Sequence, residues 1–303
     1  MINTTPRAPE LKARPWVKPL CHDVGGHDAA KSKGALIGTP LSESVRQTQK
    51  IGKILLDESV EPARSRLRAM GTDTDVDSDE IIAMGQIYVA EHGGSIRTFN
   101  GGLHHECGWW PGYKRRRLQH WQGMAQRAYL LRHECDVGTL WAQSEARRFV
   151  FPHADRRRSY TCDAELRLID GTIVIVEIKR TPNDLSDEDY RLTLAGVAEI
   201  CRRIGWEFRI VFADEIFANR HHRNNVELFA SRRFATVTPT SIRRLEAFAT
   251  KVSQVTTYGH LAEVLRPDWA VAGKAIIQAL LVRRRIDIDL TQPLDDSTRV
   301  DIL

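Results

Sequence analysis

The chain has 303 residues, with 44 Lys and Arg against 39 Asp and Glu, so its formal net charge is +5 with His neutral. That length supports about two domains at roughly 150 residues each. A composition of 42% hydrophobic and 27% charged residues excludes a wholly disordered polymer. No apolar run reaches the ~18 residues of a membrane span. Residues 1–18 lack the apolar segment of a secretory signal. The five cysteines (Cys21, Cys107, Cys135, Cys162 and Cys201) are scattered, with no Cys-x-x-Cys pair, which points to a reducing cytoplasm rather than a disulfide framework.

Residues 1–95 are expected to form an N-terminal arm, largely disordered or partner-binding. Residues 1–50 are rich in Pro, Lys, Gly and Ser with little apolar period. One helix is predicted near 51–70, followed by an acidic linker over 71–80 whose Asp73, Asp75, Asp77 and Asp79 lack the Gly and Glu that close a calcium loop. The charge then reverses. Residues 61–112 hold four basic and eight acidic side chains, whereas residues 113–160 hold eleven basic and four acidic. The excess centres on Lys114, Arg115, Arg116 and Arg117 and on Arg156, Arg157 and Arg158, a pattern that attracts a phosphate backbone.

From residue 118 the pattern becomes regular. A helix is predicted over 118–132, a short strand over 149–151, strands over 160–168 and 173–179, a helix over 186–204 stopped by Gly205, and a strand over 206–212. Strand, helix and strand in succession imply a crossover and a mixed α/β sheet. Further on, helices are predicted over 257–265 and 270–281 and a strand over 283–290.

The segment from Tyr160 to Lys179 carries the chemistry. Alternation places Asp163, Glu165 and Arg167 on one strand face, and Glu177 with Lys179 on one face of the next strand. A three-residue loop, Ile169-Asp170-Gly171, puts Gly171 at the left-handed position and Leu168 opposite Thr172. Asp163 then faces Glu177, with Lys179 two residues along. Opposed carboxylates repel, so they call for a cation between them or a proton on one. Mg²⁺ accepts such hard oxygen ligands, and Asp163, Glu177 and the carbonyl of Ile178 are the candidate set. Mn²⁺ is expected to substitute. Lys179 is then placed to orient or help deprotonate a water attacking phosphorus.

This Asp…Glu-x-Lys arrangement resembles the restriction-endonuclease-like nucleases, and within them the TnsA-like endonuclease subunit of heteromeric transposases. Arg116-Arg117-Leu118 leading to Tyr129-Leu130-Leu131, then Cys135-Asp136-Val137, Tyr160-Thr161-Cys162-Asp163 and Glu177-Ile178-Lys179 all resemble that family's segments. The resemblance implies a restriction-endonuclease-like mixed sheet flanked by helices over residues 96–235, and a small winged-helix-like domain over 236–303. It further implies Mg²⁺-dependent cleavage of DNA at transposon ends beside a DDE-type transposase and an ATP-dependent regulator, in the cytoplasm and on the nucleoid when bound to DNA.

One departure stands out. Where the family carries a Glu-Ser-x-x-Glu-like pattern, this chain has Gln122 and Gln126. Gln122 is the auxiliary candidate, and Glu145 or Glu165 could restore the missing charge. The departure keeps open a nuclease-fold subunit that binds DNA and partners with weak or lost cleavage, alongside a standalone repair or phage nuclease. A zinc site from His104, His105, Glu106 and Cys107, or from His133, Glu134 and Cys135, lacks the usual ligand spacing. Trp109, Trp110 and Tyr113 beside the basic run could stack bases.

Overall fold

A computed structural model describes residues 85–90, 93–96, 106–153 and 156–303. Of the expected arm over 1–95, residues 1–84 and 91–92, with the helix near 51–70 and the acidic linker, lie outside the described residues, as do His104 and His105; residues 86–89 of that arm form a strand.

In chain order the elements begin with β1 (Gln86–Val89), β2 (Cys107–Gly112), β3 (Arg117–Gln122) and α1 (Met124–Cys135). Next come β4 (Thr139–Ser144), β5 (Arg147–His153), β6 (Arg156–Thr161), β7 (Ala164–Leu168), β8 (Ile173–Lys179), a 3₁₀ turn (Pro182–Leu185), α2 (Glu188–Arg203) and β9 (Glu207–Phe212). The remainder is α3 (Ala213–Phe217), α4 (Arg220–Ser231), α5 (Pro239–Lys251), β10 (Val255–Thr257), α6 (Tyr258–Leu265), α7 (Ala270–Val282), β11 (Ile286–Asp287) and β12 (Arg299–Ile302). The chain is thus a mixed α/β protein with several sheets.

A four-stranded sheet in the order β4-β7-β8-β9 forms the centre. β4, β7 and β8 pair antiparallel, whereas β8 and β9 run parallel through α2. Apolar cores cover both faces of this sheet. Ala164, Leu166, Val174 and Val176 join Tyr129 and Leu130 of α1 and extend to Phe229, Leu261, Ile277 and Val300. On the opposite side Ile175, Phe208 and Ile210 pack with Phe149, Phe151, Leu194 and Val197. Double coverage explains the unbroken Ile-Val-Ile-Val run of β8. Each fully buried Val, Leu, Ile or Phe among them contributes about 1.5–3 kcal/mol.

α2 starts where the Asp187 carboxylate accepts the N–H groups of Asp189 and Tyr190. It stops at Gly205, whose φ of 71° suits glycine. The cap is therefore Asp187, one residue inside the start of the helix predicted over 186–204. In the C-terminal part β10, β12 and β11 form a three-stranded antiparallel sheet beside α6 and α7. These helices cross so closely at Gly273 that an added Cβ would sit 2.7 Å from the Ala262 carbonyl carbon.

Several predicted elements change. Residues 118–122 are not helical: β3 pairs with β2 in a separate ribbon, and Gly123, at φ 85°, turns the chain into α1. The strand predicted over 160–168 is two strands in different sheets, β6 pairing with β5 and β7 with β4 and β8. Only residues 286–287 of the predicted strand 283–290 pair in a sheet. Among the described residues, Cys107, Cys135, Cys162 and Cys201 are free thiols, and no helix is long and apolar enough to cross a membrane.

Candidate active site

The β7–β8 hairpin has the register read from its loop. Ala164 pairs with Val176 and Arg167 with Ile173. The Leu168 N–H donates to the Thr172 carbonyl at 2.9 Å, and Gly171 has φ 93°. Asp163 lies one residue beyond the last pair, opposite Glu177, where the chain passes from one sheet to the other. Four backbone and side-chain contacts fix it there. Its N–H donates to the Val176 carbonyl at 3.0 Å. Its own carbonyl accepts the Glu145 N–H at 3.2 Å and the Gln126 side-chain amide at 2.7 Å. Its Oδ2 accepts the Ile178 N–H at 2.7 Å. That last bond occupies a β8 donor which β7 has ended too soon to reach.

Glu177 is almost wholly buried, at 2% exposure. A buried carboxylate needs donors, and this one has three. The Tyr160 hydroxyl donates to Oε2 at 2.6 Å, the Tyr190 hydroxyl donates to Oε1, and the Lys179 ammonium lies 2.6 Å from Oε1. Lys179 also sits 4.5 Å from the centre of the Tyr190 ring. Burial pushes the Asp163 carboxyl well above the usual carboxylate range, and the neighbouring Glu177 adds to the shift. The Ile178 N–H and the Lys179 ammonium oppose it without prevailing. Burial, again followed by Glu177, drives the Tyr160 phenol upward. An acid that resists ionisation beside a second carboxylate is electrostatically short of a cation.

The other candidates divide. Glu165 is buried and clamped by both nitrogens of an Arg147 fork, at 2.8 and 3.0 Å, which neutralises it. Glu145 is buried too, in a left-handed backbone at φ 47°, with Oε2 3.3 Å from His120 Nε2. Gln122 ends β3 and gives its N–H to the side-chain oxygen of Gln126 at 2.6 Å, so Gln126 is the glutamine that reaches the Asp163 segment. His133 is enclosed against Asp136 and Thr139. Among the described residues no group of three or more His, Cys, Asp or Glu side chains could hold a metal ion. A cation at the notch would rely on Asp163, Glu177 and the Ile178 carbonyl, all hard oxygens of the kind Mg²⁺ takes together with water.

The basic residues also separate. The Lys114 ammonium turns inward to the carbonyls of His133, Asp136 and Thr139, capping the end of α1, and burial lowers its pKa to about 8. Arg115 stacks on Trp141 at 4.3 Å and reaches the Gly93 carbonyl. Arg158 is buried against Asp189 and Thr193. Arg116, Arg117, Arg156 and Arg157 are exposed. Tyr190 escaped the sequence reading because its approach to Glu177 depends on the docking of α2. Tyr160 was visible only as part of a motif. No family model matches the chain, and no curated protein matches it.

Proposed function

We propose that this chain is a Mg²⁺-dependent DNA endonuclease, the TnsA-like subunit of a transposition system that acts beside a DDE-type transposase. The observation that carries the reading is the β7–β8 register, which sets Asp163 opposite Glu177 with the Lys179 ammonium 2.6 Å from Glu177. The order α1-β4-β7-β8-α2-β9 around a sheet with one parallel pair supports the restriction-endonuclease-like expectation. The succession α5-β10-α6-α7-β11-β12 with its three-stranded sheet supports a winged-helix-like C-terminal part.

In this reading Asp163, Glu177 and the Ile178 carbonyl hold the metal, which supplies charge neutralisation at the scissile phosphate. The Ile178 N–H fixes the Asp163 rotamer, and Tyr160 and Tyr190 fix Glu177. Lys179 positions the attacking water and stabilises charge developing on the phosphate oxygens. Arg116, Arg117, Arg156 and Arg157 supply phosphate contacts.

A second reading, a nuclease-fold subunit that binds DNA and partners without cutting, draws on two observations. Both oxygens of Glu177 already accept hydrogen bonds, and Gln126 serves the Asp163 backbone rather than adding a carboxylate. Nicking of supercoiled plasmid in Mg²⁺ or Mn²⁺, alone and with a partner DDE transposase, separates the two. Wild type should nick, and Asp163→Ala and Lys179→Ala should not. Absence of nicking by wild type in both settings favours the second reading.

A further inference from the structure

The β2–β3 ribbon exposes an apolar edge on one face. Trp109 (53% exposed), Pro111 and Leu118 (62% exposed) share that face, as strand alternation requires. Opposite the ribbon tip stands Phe234, 53% exposed. Its ring lies 5.9 Å from that of Tyr113 and 4.9 Å from the Arg233 guanidinium. Arg233 is itself anchored by a 2.7 Å hydrogen bond to the Pro111 carbonyl and lies over the Trp110 ring. Phe234 is therefore a propped, outward-facing ring. Between it and Leu118 opens a cleft of about 400 Å³ whose lining includes Arg116 and Arg117. Among the described residues neither arginine is paired with a carboxylate.

Large apolar side chains left in water beside exposed cations suit an anion with a flat apolar part. The volume lies near the lower end of the range for single-ligand pockets, room for one base and its sugar. We propose that this cleft takes one unpaired nucleotide of a DNA strand, its base stacked on Phe234 against Leu118 and its phosphate held by Arg116 and Arg117. The proposal rests on the nucleic-acid reading above and deepens it. The protein holds a locally opened strand, and Trp109 provides a second ring further along the same face of the ribbon. The ribbon is tied to the notch, because His120 of β3 contacts Glu145 and Glu145 donates to the Asp163 carbonyl.

The test is equilibrium binding of the full chain to fluorescein-labelled oligothymidylate and to a duplex of equal length, by anisotropy in EDTA so that no cleavage occurs. Phe234→Ala should weaken oligothymidylate binding by about 5- to 150-fold, the range reported by removing one base-stacking ring. Phe234→Trp should restore it, and duplex binding should change less than about 2-fold. Trp269→Ala removes another exposed ring elsewhere, 60% exposed, and should have no effect. Four outcomes overturn the proposal: no binding of oligothymidylate by wild type, a Phe234→Ala effect no larger than that of Trp269→Ala, equal losses for single strand and duplex, or equal competition by oligoglutamate, which would make the cleft a site for acidic peptides. Loss of nicking with stacking intact would count only against the nuclease reading, and stacking lost with nicking intact only against this one.

Discussion

Lys179→Met tests the geometry of the notch separately from catalysis. The substitution keeps most of the side-chain volume but leaves Glu177 buried without its cation. Breaking a buried ion pair by removing one partner costs about 3–5 kcal/mol. Two features reduce that here. Lys179 is 20% exposed, so water partly screens the pair, and the Tyr160 and Tyr190 hydroxyls still donate to the carboxylate. A loss of about 2–3 kcal/mol is therefore expected. It should be read from urea midpoints by circular dichroism at neutral pH in EDTA, with the slope checked for constancy. Glu177→Gln in the same background removes the stranded charge, while its amide oxygen still accepts from one tyrosine hydroxyl and its NH2 can donate to the oxygen of the other. The double variant should thus be more stable than Lys179→Met alone, with a coupling of about 1–3 kcal/mol. If Lys179→Met falls within about 0.5 kcal/mol of wild type, or the two effects simply add, the pair is not buried as described and the account of the notch is wrong.

Two further outcomes follow from the same packing. The Asp163 carboxyl is held above its unfolded range of about 4, so its stabilising contribution is complete below that range and is lost as pH rises through the folded value; in EDTA, Asp163→Asn should gain stability relative to wild type as pH rises, and parallel thermal profiles would exclude the shift. Gly273→Ala should lose about 1–2 kcal/mol, because crowding against the Ala262 backbone outweighs the ~1 kcal/mol that alanine gains in a helix; a thermal midpoint equal to or above that of wild type would refute the close crossing.

The hairpin was legible because its signals are local. Gly171 could take the left-handed turn, and the apolar run of β8 left one register that grouped the charges. What failed to show depends on partners distant in sequence. Leu118, Trp121 and Ala125 carry helical spacing, yet pairing with β2 makes residues 117–122 a strand. The step between sheets at Cys162 and Asp163 leaves no mark in the alternation, since both faces of β7 are buried. Charge counting located the basic excess but could not separate Lys114 and Arg158, which satisfy interior carbonyls and hydroxyls, from Arg116 and Arg157 at the surface. α3, α4 and α5 went unpredicted, although Thr238 before Pro239 is a capped start whose hydroxyl accepts the Ser241 N–H.

The apolar layer beneath α1 runs without a seam from Trp110 to Val300. Asn225 is bound to the carbonyls of Leu290 and Gln292, and Arg284 to that of Val137. Severing the backbone near residue 235 would therefore strip Tyr129, Leu131 and Phe229 of their cover rather than release a finished piece. Biochemists wishing to dissect cutting from docking here will be better served by point changes at the surface than by scissors.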